Sequence, residues 1–70
     1  MSMLFGDNFK KLRLEAKLSQ KEVATRLGIY QSNVSDWEND ISRPEYERLI
    51  QLATLYGCSI AELLGVEEDR

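Results

Sequence analysis

A chain of 70 residues that is 43% hydrophobic, with one proline and four glycines, holds enough apolar material for one small core and too little flexible composition for disorder. A single cysteine, Cys58, and no histidine rule out an internal disulfide, a cysteine metal cluster and any Ser-His-Asp or Cys-His nucleophile, so no enzyme and no cofactor are expected. The net charge of −3 runs against a nucleic-acid partner, and no run is apolar enough to cross a bilayer or reads as a signal peptide, which predicts a soluble, cytoplasmic protein.

The charge is unevenly divided. Residues 1–43 carry a balance of +1 and residues 44–70 a balance of −4, with Glu67, Glu68 and Asp69 the densest acidic run. One face can therefore meet phosphate while another is turned away.

Strand-type alternation is scarce, and the elements read as helices. A first helix is predicted from near Phe5 to Lys17, since Phe5, Phe9, Leu12 and Ala16 recur at spacings that make one apolar stripe. Ser19 and Glu22 form a capping box that opens a second helix, with Val23, Ala24 and Leu27 inward and Gly28 as a left-handed stop. After Gly28-Ile29-Tyr30 a third helix spans about Gln31 to Asn39, with Tyr30, Val34, Trp37 and Ile41 assigned to its inner side. Pro44 is expected in the first turn of a fourth helix that carries Leu49, Leu52, Ala53 and Tyr56 and stops at Gly57. A second box, Ser59 with Glu62, opens a short fifth helix that ends at Gly65. The whole is an all-α, compact five-helix bundle over 1–66, followed by an acidic tail at 67–70.

Two short helices joined by a tight turn containing Gly make a helix-turn-helix, here at about 20–39. Ala24 is small where the two helices approach, and Gly28 permits the reversal. At about 100° per residue the third helix turns Ser32, Ser35, Asp36 and Asn39 outward, with Gln31 and Asn33 at the flanks. Such a ridge of hydrogen-bonding groups suits a B-DNA major groove about 12 Å wide. Gln20 and the free N–H groups that open the second helix suit a phosphate oxygen.

Ser19-Gln20-Lys21-Glu22-Val23-Ala24, Leu27-Gly28-Ile29, Val34-Ser35-Asp36-Trp37-Glu38-Asn39, Arg43-Pro44 and the closing run from Leu55 to Gly65 resemble the lambda-repressor/Cro-like (Xre) family of helix-turn-helix DNA-binding domains. The resemblance runs from about Phe5 to Gly65. It implies a sequence-specific transcriptional regulator, usually a repressor, bound to a double-stranded DNA operator and located on the nucleoid when so bound. It further implies that Gln31, Ser32, Ser35 and Asp36 face bases. Gln20, Asn33, Asn39 and Arg43 would meet phosphates, with Gln20 also bracing Gln31, and Arg13 and Glu38 would form an internal ion pair.

Three positions depart from the family pattern. Asp36 places a negative charge on the reading helix, where it suits cytosine N4. Ile41 stands where a basic residue is frequent and Asp40 where Gly is common, so fewer phosphate contacts are expected. Trp37 reads as core rather than as a base-stacking ring, Cys58 as an inert small residue, and Lys10, Lys11 and Lys17 as a solvated face. Two half-sites call for a homodimer, with Tyr46, Ile60, Leu64 and Val66 as the expected contact. The acidic balance also suits an alternative, a protein-interaction or antitoxin-like module in which DNA binding is secondary.

Overall fold

Local capping sets where the chain starts and stops turning. In the computed structural model, which describes residues 5–66, five helices follow one another: α1 (Gly6–Glu15), α2 (Gln20–Leu27), α3 (Gln31–Glu38), α4 (Tyr46–Tyr56) and α5 (Ile60–Leu64). The acidic tail expected at 67–70 lies outside the described residues. Both serine boxes form. The Ser19 hydroxyl accepts from the Glu22 N–H at 3.0 Å while the Glu22 carboxylate accepts from the Ser19 N–H at 2.8 Å. Ser59 and Glu62 repeat the arrangement at the same distances. These reciprocal bonds hold the Glu22 carboxyl below its ordinary range. Gly28 closes α2 in the left-handed region at φ 71°, where a Cβ would be strained.

Two boundaries differ from the sequence reading. The first helix ends at Glu15 rather than Lys17, because Lys17 itself turns left-handed at φ 62°. Its N–H donates to the Leu14 carbonyl at 2.9 Å, and that of Leu18 to the Arg13 carbonyl at 3.2 Å, so the turn closes on itself instead of extending. Pro44 does not lie in the first turn of α4. Glu45 is the extended N-cap residue, and its carbonyl receives the Leu49 N–H at 2.9 Å; Pro44 stands one residue before it.

The core is built from Phe9, Val23, Ala24, Val34, Trp37, Leu52, Ala53 and Leu63, drawn from all five helices. Burial of side chains such as Leu52 and Leu63, both almost fully enclosed, contributes about 1.5–3 kcal/mol each. Val34 and Trp37 point inward from α3 as expected. Tyr30 and Ile41 do not: they are 81% and 71% exposed. Tyr30 is the extended N-cap residue of α3, at ψ 146°, and Ile41 follows Asp40, whose left-handed φ of 59° reverses the chain. Neither residue lies within a helix, so helical periodicity does not place it.

Candidate nucleic-acid interface

Helix α3 is held from beneath by Val34, Trp37 and Glu38, all buried, and packs against α2 and α1. Its outer side carries no large apolar group. Gln31, Ser32 and Asn39 are exposed, while Asn33, Ser35 and Asp36 are partly exposed. No acidic residue occupies its first turn, so the positive end of the helix dipole is not offset there.

A buried ion pair stands behind this surface. Arg13 Nε donates to Glu38 Oε2 at 2.6 Å and Nη2 to Oε1 at 3.1 Å, while Nη1 donates to the Leu18 carbonyl at 2.9 Å. The two side chains are 8% and 3% exposed. Hydrogen bonding to Glu38 outweighs the desolvation that opposes the charge, and it holds the Arg13 guanidinium protonated above its ordinary range.

The pair reaches the surface through two amides. Glu38 Oε1 also accepts from Gln20 Nε2 at 3.0 Å, and Gln20 Oε1 accepts from Gln31 Nε2 over a long 3.4 Å. A carboxylate has no proton to give, so the polarity of this chain is fixed from its buried end. Gln20 must turn its NH2 group inward and its oxygen outward. Gln31 is then left with its carbonyl oxygen and one N–H for an outside partner.

Other predicted residues pair among themselves. Asn39 Nδ2 donates to the Ser35 carbonyl at 3.0 Å and to its hydroxyl at 3.3 Å. Asn33 and Arg43 share the wall of an open cleft of about 290 Å³, with Trp37, Pro44 and Arg48 beside them. Ser32 stands apart from these pairs at the start of α3.

The sequence reading missed what Asp40 does. Its Oδ1 accepts from the N–H groups of Phe5 and Gly6, both at 3.0 Å. The signal available in sequence was small: Asp is among the few non-glycine residues that tolerate left-handed backbone. Arg43, three residues on, lies over the Phe5 ring at 5.1 Å from its centroid.

Elsewhere, Cys58 is half-buried, and desolvation pushes its thiol up. Lys10, Lys11 and Lys17 are exposed. Among the described residues no group of three or more His, Cys, Asp or Glu could hold a metal ion. No helix among them is long and apolar enough to cross a membrane.

The sequence has counterparts among known proteins. A family model described as helix-turn-helix matches residues 9–63. The HTH-type transcriptional regulator ImmR of Bacillus subtilis (strain 168) is 38% identical over 66 residues, which cover 94% of this chain and 52% of the relative. The cryptic phage CTXphi transcriptional repressor RstR of Vibrio cholerae is 34% identical over 65 residues, covering 93% of this chain and 59% of that protein. An uncharacterized HTH-type transcriptional regulator of Sinorhizobium fredii (strain NBRC 101917 / NGR234), y4dJ, is 39% identical over 69 residues, 99% of this chain and 90% of the relative. The chain thus spans little more than half the length of ImmR and of RstR.

Proposed function

Since the chain belongs to the helix-turn-helix family, in its lambda-repressor/Cro-like form, we propose that it is a sequence-specific double-stranded DNA-binding transcriptional regulator that acts as a repressor by covering promoter DNA. The observation that carries this reading is the braced start of α3. Glu38 orients Gln20, Gln20 orients Gln31, and the exposed amide of Gln31 is left offering one acceptor and one donor. That pair matches N6 and N7 of adenine in the major groove. Ser32, Ser35 and Asp36 complete the base-reading face, with Asp36 suited to cytosine N4.

Gln20, Asn33, Asn39 and Arg43 meet phosphates on either side. Gln20 keeps a second amide N–H for this after bonding Glu38, and Asn33 and Arg43 line one cleft. A single α3 covers few base pairs, so specificity comes from a homodimer on two half-sites about 34–36 Å apart. The exposed Tyr46 and Val66, with the partly buried Ile60 and Leu64, supply the self-contact. The protein works in the cytoplasm, on the nucleoid, as a binding module without an enzymatic step. The name of RstR, a transcriptional repressor, supports the sign of regulation.

The test is selection of sites from random duplex DNA near physiological salt, with a Gln31→Ala/Ser32→Ala double variant in parallel. A two-fold-symmetric site is expected for the unaltered protein and no such enrichment for the variant. Affinity should fall with added salt at a slope of about −0.9 per phosphate contacted. Absence of any enriched site from folded protein would refute the reading and favour the protein-interaction alternative.

A further inference from the structure

The start of α1 lacks a cap of its own. Phe5 occupies the N-cap position, and its side chain makes no capping hydrogen bond. The open N–H groups of Phe5 and Gly6 are taken by Oδ1 of Asp40, which lies 34 residues beyond Gly6. The loop after α3 therefore supplies the cap that the local sequence does not. Gly6 makes the approach possible, since a Cβ at that position would collide with the Glu38 carbonyl.

The same loop is tied a second time to the same residue. Phe5 receives Asp40 through its backbone N–H and Arg43 through its ring, the guanidinium carbon 5.1 Å from the ring centroid. Asp40 keeps a left-handed backbone, φ 59°, that most side chains avoid. Its carboxylate is directed at backbone donors and at the positive end of α1, which offsets the charge that an acid on a DNA-facing loop would otherwise present to phosphate.

We propose that Asp40 is a positioning residue for DNA binding: its clamp on Phe5 and Gly6 fixes the α3–α4 loop so that Arg43 is held in place for a phosphate before DNA arrives. The inference rests on the reading of Arg43 as a phosphate contact. A loop already fixed does not have to be ordered on binding, so the contact is made at lower entropic cost. The clamp acts on a phosphate contact, so its loss should weaken binding to all sequences alike and leave base preference intact.

Two substitutions separate the clamp from simple repulsion. Asp40→Asn removes the charge but keeps an acceptor oxygen and tolerates the left-handed backbone. Asp40→Gly keeps the backbone and removes the acceptor. Affinity is measured for the selected operator and for an unrelated duplex across a salt series, for the unaltered protein, both variants and Arg43→Ala. All are confirmed folded by helical circular dichroism, and amide exchange of Phe5 and Gly6 is followed in the free proteins.

Asp40→Gly and Arg43→Ala should each weaken both duplexes about five- to tenfold and reduce the salt slope by about 0.9. Combining them should cost little more than either alone. Asp40→Asn should stay within about twofold of the unaltered protein, and only Asp40→Gly should speed exchange at Phe5 and Gly6. Asp40→Gly that binds as the unaltered protein while Arg43→Ala is weakened would overturn the proposal. So would tighter binding by both Asp40 variants. If Arg43→Ala binds normally, the phosphate assignment itself is refuted and the proposal falls with it.

Discussion

Replacing Arg13 by Ala should come close to unfolding the domain. Glu38, 3% exposed in the intact fold, loses both guanidinium bonds in the variant, so that its carboxylate retains only the Gln20 amide. The Leu18 carbonyl loses its Arg13 donor as well. Removing one member of a buried ion pair costs about 3–5 kcal/mol, chiefly because the other charge is left desolvated and uncompensated. At about 0.05–0.15 kcal/mol per residue the whole stability of a chain this size is roughly 3.5–10 kcal/mol. The loss is therefore about three-tenths of the total at the upper end of that range and most of it at the lower end, and the midpoint of thermal unfolding should fall by about 12 °C or more.

The companion experiment replaces both partners, Arg13→Met with Glu38→Leu. Well-packed apolar groups of similar volume are often neutral or stabilising in place of a buried pair, so most of the lost stability should return. Thermal and urea unfolding followed by circular dichroism read both variants. An Arg13→Ala midpoint within about 2 °C of the unaltered protein would refute the reasoning. So would a double variant as unstable as the single one, since an orphaned charge could not then be the cause.

Two further outcomes are expected from the backbone and from the titrating groups. Lys17→Gly should raise stability by about 0.5–1 kcal/mol, read as a higher urea midpoint, because relief of left-handed strain at φ 62° exceeds the entropy that Gly adds to the unfolded chain; a lower midpoint would count against it. Burial raises the Tyr56 phenol, with Glu38 adding to the effect, and burial likewise raises the Cys58 thiol. The folded state thus keeps both protons at pH values where the unfolded chain begins to lose them. Stability should be full below the ordinary thiol value of 9.0 and decline as pH rises past it. A urea midpoint that stays flat or rises between pH 8 and 10.5 would contradict this assignment.

The helices were legible because their signals are local. Ser19 with Glu22 and Ser59 with Glu62 satisfy backbone groups within three residues, and Gly28 stops α2 through a preference of its own backbone. The apolar stripes identified Val34, Trp37 and Leu52 as core for the same reason, since a helix repeats every 3.6 residues whatever it packs against. Periodicity failed at Tyr30 and Ile41, one residue before α3 and two beyond its C-cap residue, where the backbone is no longer helical.

The candidate surface was readable only in its outline. The outward polar residues of α3 follow from the helical repeat, but the pairing of Arg13 with Glu38 came from resemblance and not from spacing. The chain of hydrogen bonds from Glu38 through Gln20 to Gln31 crosses from α3 to α2 and back, and so joins two separate helices. No local rule brings them together. Asp40 shows the limit most plainly: in sequence it is an acid in an unfavourable loop, and in the fold it caps a helix that begins 34 residues earlier. What the sequence by itself determined was the set of helices, the ends fixed by a serine box or a glycine stop, and the faces they bury, because each depends on neighbours within a turn or two. Which polar atoms meet, and so which side chains are held ready at the surface, was decided by tertiary packing, because hydrogen bonds and ion pairs form only where separate segments arrive within about 3 Å of one another.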